Sequence, residues 1–329
     1  MRTFWKELLR SIFMGAVLPG LIISHGVRMQ LREVEADTIP IITEAEPELE
    51  VQSYPVKLRQ VDGTVTEMEL ERYLVGVVLG EMPAYFESEA LKAQAVVART
   101  YTLRIHMQGG KHGDSSICAD PGCCQAYVSV IEYLERGGTG ESVEKVTAAV
   151  NATAGEVLLY EEELIEATYF SCSGGITEDA QAVWGTDYPY LRSVSSPGEE
   201  NASCFTDMVS FSFDAFRERM GMQLTGNPET WFGAVTYTAG SGVATIVIGG
   251  KEYTGTEARR LLGLRSTIFE AEVTEGEILI HTKGYGHRVG MSQYGAEAMA
   301  VAGSTYDKIL AHYYQGTELA DMYMEFNIR

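Results

Sequence analysis

The sequence predicts an α+β fold, with mixed helices and twisted sheets around one extended groove, behind a single N-terminal membrane anchor. Apolar residues recur at helical spacing in two stretches: Leu70, Tyr73, Leu74, Val77 and Val78, and then Leu91, Ala95, Ala98, Thr102 and Ile105. Short apolar or alternating runs at Val157–Tyr160, Ile165–Phe170, Val243–Ile248, Ile268–Val273 and Ile278–His281 read as strands. The two kinds of element are interspersed without regular strand–helix–strand alternation, which is the mark of α+β.

The elements follow in chain order. Arg2, Lys6 and Arg10 form a basic tip over residues 1–10, ahead of an apolar run over 11–27. That run is roughly 17 residues, at the lower edge of what spans a bilayer. The basic flank predicts a cytoplasmic tip, and no small-residue cleavage site follows, so an uncleaved anchor is expected. A cleaved signal peptide is the alternative, and either one exports the rest. Residues 28–55 are acidic and aperiodic and read as a solvated stalk. Residues 56–329 remain as the working domain.

Within 56–329, Val56–Val65 alternates around Asp62-Gly63, a hairpin signal. Thr66-Glu67-Met68-Glu69 has the pattern of a capping box, so a helix is expected over about 67–79. It runs into Gly80-Glu81-Met82-Pro83, where Pro83 disfavours further helix. A second helix is expected over 88–107, with Lys92 and Arg99 two turns apart on one face. Later helices are expected near 256–262, 295–302 and 304–314. By itself, Glu81 reads equally as a helix-end carboxylate or as a functional acid, and Lys92 and Arg99 read first as a solvated face.

Charge excludes one class of partner. Twenty-five Lys and Arg against 46 Asp and Glu leave a formal net charge of -21. Nucleic-acid binding rests on a basic surplus that this chain lacks. Hydrophobic residues make up 45% of the chain, enough for a substantial core.

His112, Cys118, Cys123 and Cys124 lie in one short loop and offer the four ligands of a closed tetrahedral zinc site. A disulfide from Cys118 to one of the pair, or free thiols, are the alternatives. Cys172 and Cys204 permit a disulfide, or neither is bonded. Gly284-Tyr285-Gly286-His287 lacks the lysine and hydroxyl residue of a P-loop and is not read as one.

Three ordered motifs point to a family. They are Gly80-Glu81-Met82-Pro83, the run Glu89-Ala90-Leu91-Lys92-Ala93-Gln94-Ala95-Val96-Val97-Ala98-Arg99-Thr100-Tyr101, and Gly286-His287-Arg288-Val289-Gly290-Met291-Ser292-Gln293-Tyr294-Gly295-Ala296. Together they resemble the stage II sporulation protein D and amidase-enhancer family, over about residues 56–316. The resemblance implies a lytic transglycosylase that cuts peptidoglycan during engulfment, with Glu81 as its one acid. It also implies a structural zinc, with Cys123 standing where a histidine is usual. The implied partners are peptidoglycan glycan strands, stage II sporulation proteins P and M, and the engulfing mother-cell membrane, with the working domain outside the cytoplasm.

The same resemblance assigns substrate binding to Lys92, Arg99, Tyr190 and Arg192, the last replacing a more usual lysine. Ser173, Gln293 and Tyr314 are expected as glycan hydrogen-bond partners. His287 is either a buried hydrogen-bonding histidine or a groove residue. Arg288 stands where relatives carry glycine, and the sequence offers no reason for it. Three other functions compete: a glycan-binding activator of a wall amidase, a structural anchor, and a Cys172–His287 peptidase.

Overall fold

The computed structural model describes residues 54–113 and 117–326. The tip, the anchor and all but the last two residues of the stalk lie outside the described residues. No helix among the described residues is long and apolar enough to cross a membrane.

The chain enters through an antiparallel pair, Pro55–Arg59 with Val65–Glu69, whose turn carries Asp62-Gly63 as expected. The expected capping box is corrected: Thr66–Glu69 is strand, and helix α1 spans Leu70–Glu81. Its N-cap is Glu69, which makes no side-chain cap. Pairing with Pro55–Arg59 outweighs the local capping pattern here, because Val56 and Leu58 are both buried against the core. Helix α2 runs Ser88–Met107, as the periodicity indicates. A further helix, Gly140–Ala152, was not read from the sequence although Val143, Val146, Ala149 and Val150 form its buried stripe.

These helices build the larger of two hydrophobic cores. Tyr73, Leu74, Val77 and Val78 of α1 meet Leu91, Ala95 and Ala98 of α2, with Leu158, Met291 and Ile309 closing the sides. The strand Glu156–Tyr160 sits between Glu163–Leu164 and Glu318–Asp321, both antiparallel to it. A short parallel pair, Tyr169–Phe170 with Met291–Ser292, joins the middle of the chain to its C-terminal part.

Residues 206–283 form a second core. Two antiparallel three-stranded sheets bury Phe216, Trp231, Ile246, Ile248, Ile278 and Ile280 between them and two helices, Phe213–Met220 and Gly255–Leu262. Arg288 links the two cores and answers the question its sequence position raises. It is fully buried, with φ at +67°, and its guanidinium donates to the Ser173, Ile176 and Gly240 carbonyls and to Thr267 Oγ1. Glu178 Oε2 faces it at 3.9 Å. Glycine adopts this left-handed backbone without steric cost, whereas an L-residue is strained there. Arg288 instead supplies four hydrogen bonds, two to residues 173 and 176 and two to residues 240 and 267 of the second core.

Arg99 is the central tie of the larger core. It is fully buried and forks onto Glu71, Nε to Oε1 at 2.8 Å and Nη2 to Oε2 at 2.5 Å. Its remaining donors reach the Glu156 and Val150 carbonyls. One side chain therefore joins α1, α2, the Gly140–Ala152 helix and the Glu156–Tyr160 strand. Removing one partner of a buried pair leaves an uncompensated charge, at a cost of about 3–5 kcal/mol. Arg99→Leu is therefore expected to lower the unfolding free energy by that order in urea titration. The double change Arg99→Leu with Glu71→Met should recover part of the loss, because no lone charge remains.

Candidate active site around Glu81

Glu81 is the last residue of α1, and Met82 behind it turns to extended backbone before Pro83. Two glycines on one face of the helix determine what meets it. A Cβ on Gly76 would stand 2.4 Å from the Tyr127 ring, and one on Gly80 would stand 3.2 Å from the Ala126 carbonyl carbon. Residues 126–128 can therefore lie flat on α1, and Val128 N–H donates to the Gly76 carbonyl at 3.1 Å. This close approach brings Ala126 N–H to Glu81 Oε1 at 2.6 Å.

The carboxyl is partly buried and also hydrogen-bonds to Tyr169 and Gln293. These come from the paired strands Tyr169–Phe170 and Met291–Ser292, the second of which runs directly into the helix Gln293–Val301. Burial pushes the Glu81 carboxyl above the ordinary glutamate range, and the hydrogen bonds to Ala126, Tyr169 and Gln293 oppose that only in part.

Proton positions can be traced from the fixed donors. Thr102 Oγ1 gives its hydrogen to the Ala98 carbonyl, so toward Gln125 it can only accept. That places the Gln125 amide nitrogen at Thr102, at 2.9 Å, and its oxygen at Tyr169. Tyr169 then spends its single hydrogen on Gln125 Oε1 at 3.0 Å. Burial also holds the Tyr169 phenol far above its usual range, so it does not ionise in the neutral range.

Gln125 and Ala126 directly follow the cysteine loop. The ligand atoms of His112, Cys118, Cys123 and Cys124 all lie within 4.8 Å of one another. His112 Nε2 stands 3.8 Å from Cys123 Sγ and 3.5 Å from Cys124 Sγ, and the last two sulfurs are 3.9 Å apart. A tetrahedral zinc with Zn–S near 2.3 Å and Zn–N near 2.0 Å sets its ligand atoms roughly 3.5–3.8 Å apart. The cluster therefore has the size and donor chemistry to hold such an ion, two residues from the amide that binds Glu81.

Several expected substrate contacts are corrected. Arg99 is spent on Glu71 inside the core and reaches no surface. Ser173 is fully buried and bonds to Glu199, whose carboxylate also accepts from Gly174 N–H, Ser196 and Ser292. Tyr314 is fully buried, donating to the Thr168 carbonyl at 2.7 Å. Tyr190 is 6% exposed and accepts from Glu166 N–H. In each case internal partners already take the polar atoms. These residues frame the site and do not line it.

The other expected residues keep some exposure. Lys92 is bonded to Glu89 at 2.6 Å and lies over the Tyr306 ring. Arg192 is paired with Asp187 at 2.7 Å, with 39% of its side chain exposed. His287 accepts from Val289 N–H at Nδ1 and bonds to the Tyr169 backbone, while burial pushes it down to about 4. It is therefore a neutral, hydrogen-bonded ring between Phe170 and Trp184. Sequence reasoning missed Tyr169, Gln125 and Ala126. Their common signal, adjacency to the cysteine loop and to the Ser171–Gly175 loop, acquires meaning only once the strands pair.

Two outcomes test this geometry. The raised affinity of Glu81 for its proton stabilises the folded protein fully below the unfolded pKa, and that contribution is lost as pH rises through the folded pKa. Glu81→Gln, which cannot ionise, should therefore melt above the native protein at neutral pH, with the gap closing as pH falls. Gly76→Ala forces the Tyr127 ring away from α1 and should cost about 1–3 kcal/mol, measured by denaturant titration.

Comparison with known proteins gives a consistent placement. Residues 59–160 match the family described as stage II sporulation protein. Stage II sporulation protein D of Bacillus amyloliquefaciens is 40% identical over 292 residues, which cover 87% of this chain and 84% of that protein. Stage II sporulation protein D of Bacillus subtilis (strain 168) is 38% identical over 304 residues, covering 90% and 87%. The amidase enhancer of Bacillus subtilis (strain 168) is 30% identical, over 75% of this chain and 40% of that protein. The chain belongs to the stage II sporulation protein D family.

Proposed function

We propose that this protein is a peptidoglycan lytic transglycosylase acting in sporulation, with Glu81 as its single acid and base. The observation that carries the reading is a helix-end carboxyl, held by Ala126 N–H, whose burial favours its protonated form. A hydrolase with two carboxylates needs a second acid placed to attack or to activate water. A transglycosylase needs one. Glu81 passes its proton to the bridging oxygen as the bond to the muramyl anomeric carbon breaks. The sugar's own 6-hydroxyl then closes on that carbon and returns its proton to Glu81. The products are a 1,6-anhydro end and a free 4-hydroxyl, with no water consumed.

Lys92, Arg192 and His287 are the remaining substrate-binding residues in this proposal, with the buried Gln293 holding the Glu81 carboxyl. Lys92 and Arg192 keep solvent access and would meet an anionic glycan by sharing their carboxylate partners. His112, Cys118, Cys123 and Cys124 would hold one zinc ion. Four protein ligands leave it no open position, so the ion would brace the loop that delivers Gln125 and Ala126. We further propose that residues 11–27 anchor the chain in the engulfing membrane, with the working part outside, and that stage II sporulation proteins P and M are its partners.

The amidase enhancer among the relatives supports a second reading, a glycan-binding activator of a wall amidase. Glycan strands stripped of stem peptides separate the two. The native protein is expected to release fragments with 1,6-anhydro ends, identified by mass. Glu81→Gln should lose on the order of 10²–10⁴-fold of that activity. Native activity should fall as pH rises through the raised pKa of Glu81. Undiminished anhydro products from Glu81→Gln would remove Glu81 from the chemistry. No product from the native protein, with stimulation of an added amidase, would establish the activator. Elemental analysis of protein purified without chelator should give about one zinc per chain, lost in Cys124→Ala.

A further inference from the structure

Cys172 and Cys204 lie outside the metal-type cluster and take no part in the chemistry above. Their thiols are in direct hydrogen-bond contact, although 31 residues separate them in sequence. Both are buried, Cys172 fully and Cys204 with 8% of its surface left exposed. The backbone around them is held from several sides. Cys172 exchanges both its backbone bonds with Tyr285, and the neighbouring Gly284 N–H donates to the Phe205 carbonyl at 2.8 Å. Glu199 gathers Ser173 N–H, Gly174 N–H and the Ser196 hydroxyl, which ties the Cys172 loop to the chain leading to Cys204. Two thiols are thus fixed side by side by a framework that does not depend on them.

We propose that Cys172 and Cys204 are a thiol–disulfide exchange site, closed to an intramolecular disulfide by a small-molecule disulfide oxidant. The roles of the two sulfurs differ. Cys204 lies against the Cys172 sulfur and accepts from the Ser171 hydroxyl at 3.7 Å, and these contacts pull its thiol down to about 7. It also has the only exposed surface of the pair. Cys204 thiolate attacks one sulfur of the oxidant, forming a mixed disulfide and releasing one thiolate. Cys172, whose thiol donates to Glu199 Oε2 at 3.2 Å, gives its proton to the released thiolate. Its sulfur then attacks the Cys204 sulfur and expels the second thiolate. One oxidant disulfide becomes two thiols, and one protein disulfide forms.

The bond would stiffen the floor of the Glu81 site. The Ser171 carbonyl accepts from Tyr294 N–H at 3.0 Å and from the Ser292 hydroxyl, the two residues that flank Gln293. The inference does not depend on the transglycosylase reading, because its readouts are mass and thiol count.

The test incubates the full chain, as purified without chelator, with oxidised glutathione, then alkylates it under denaturing conditions and maps the peptides. Of the five cysteines, two should escape alkylation, in one peptide pair joining Cys172 to Cys204. Melting should fall by several degrees when that bond is reduced, since it closes a long loop. Cys172→Ser should accumulate a glutathione adduct on Cys204, whereas Cys204→Ser should leave Cys172 unmodified. Full alkylation of both cysteines after oxidation, or bonding of either to Cys118, Cys123 or Cys124, would overturn the proposal. Adduct formation on Cys172 in the Cys204→Ser protein would overturn the assigned roles.

Discussion

A guanidinium in a dry core is tolerated where each of its nitrogens finds a partner, and Arg99 is such a group. Glu71 takes two of its hydrogens, and the Val150 and Glu156 carbonyls take others. The pair fixes α1 against α2 and both against the Gly140–Ala152 helix. The position of Glu81 at the far end of α1 follows from that alignment. Apolar residues of equal volume could give similar stability, but they would not define the helix register as sharply.

The second constraint is one of space. Gly76 and Gly80 remove side chains from one face of α1, so the chain leaving the cysteine loop lies against the helix and an amide reaches Glu81. Acid chemistry at neutral pH requires a carboxyl that keeps its proton, which water would not allow at the ordinary value of about 4.3. Partial burial shifts Glu81 in that direction, against the hydrogen bonds to Ala126, Tyr169 and Gln293. The cluster of His112, Cys118, Cys123 and Cys124 stands directly before Gln125, so loop geometry and acid geometry are mechanically continuous.

Buried charges also organise the boundary between the two cores. Glu199 gathers donors from the Ser171–Gly175 loop and from Ser292, and Arg288 reaches from the C-terminal motif into residues 240 and 267 of the second core. The motifs around Ser173 and His287 thus hold the site together from behind. That explains why residues such as Ser173 and Tyr314, expected in the groove, prove to be internal.

Much of this was legible in the chain itself. The periodicity of residues 88–107 specifies α2, because a buried stripe with a 3.6-residue repeat suits no other regular structure. The Gly-Glu-Met-Pro turn placed an acid at a helix end, and the spacing of one histidine and three cysteines marked a metal-sized cluster. Local patterns failed where longer-range pairing was stronger. Thr66–Glu69 looks like a cap but joins a strand, and Arg99 looks like a partner of Lys92 on a solvated face but is spent on Glu71. Which charges are internal, and which amide, phenol and glutamine meet Glu81, is decided by contacts between segments 28 to more than 200 residues apart. No periodicity records such contacts, because each depends on the path of two chain segments at once. The sequence alone determined the acid and its helix; only tertiary packing decided its neighbours, and with them its proton.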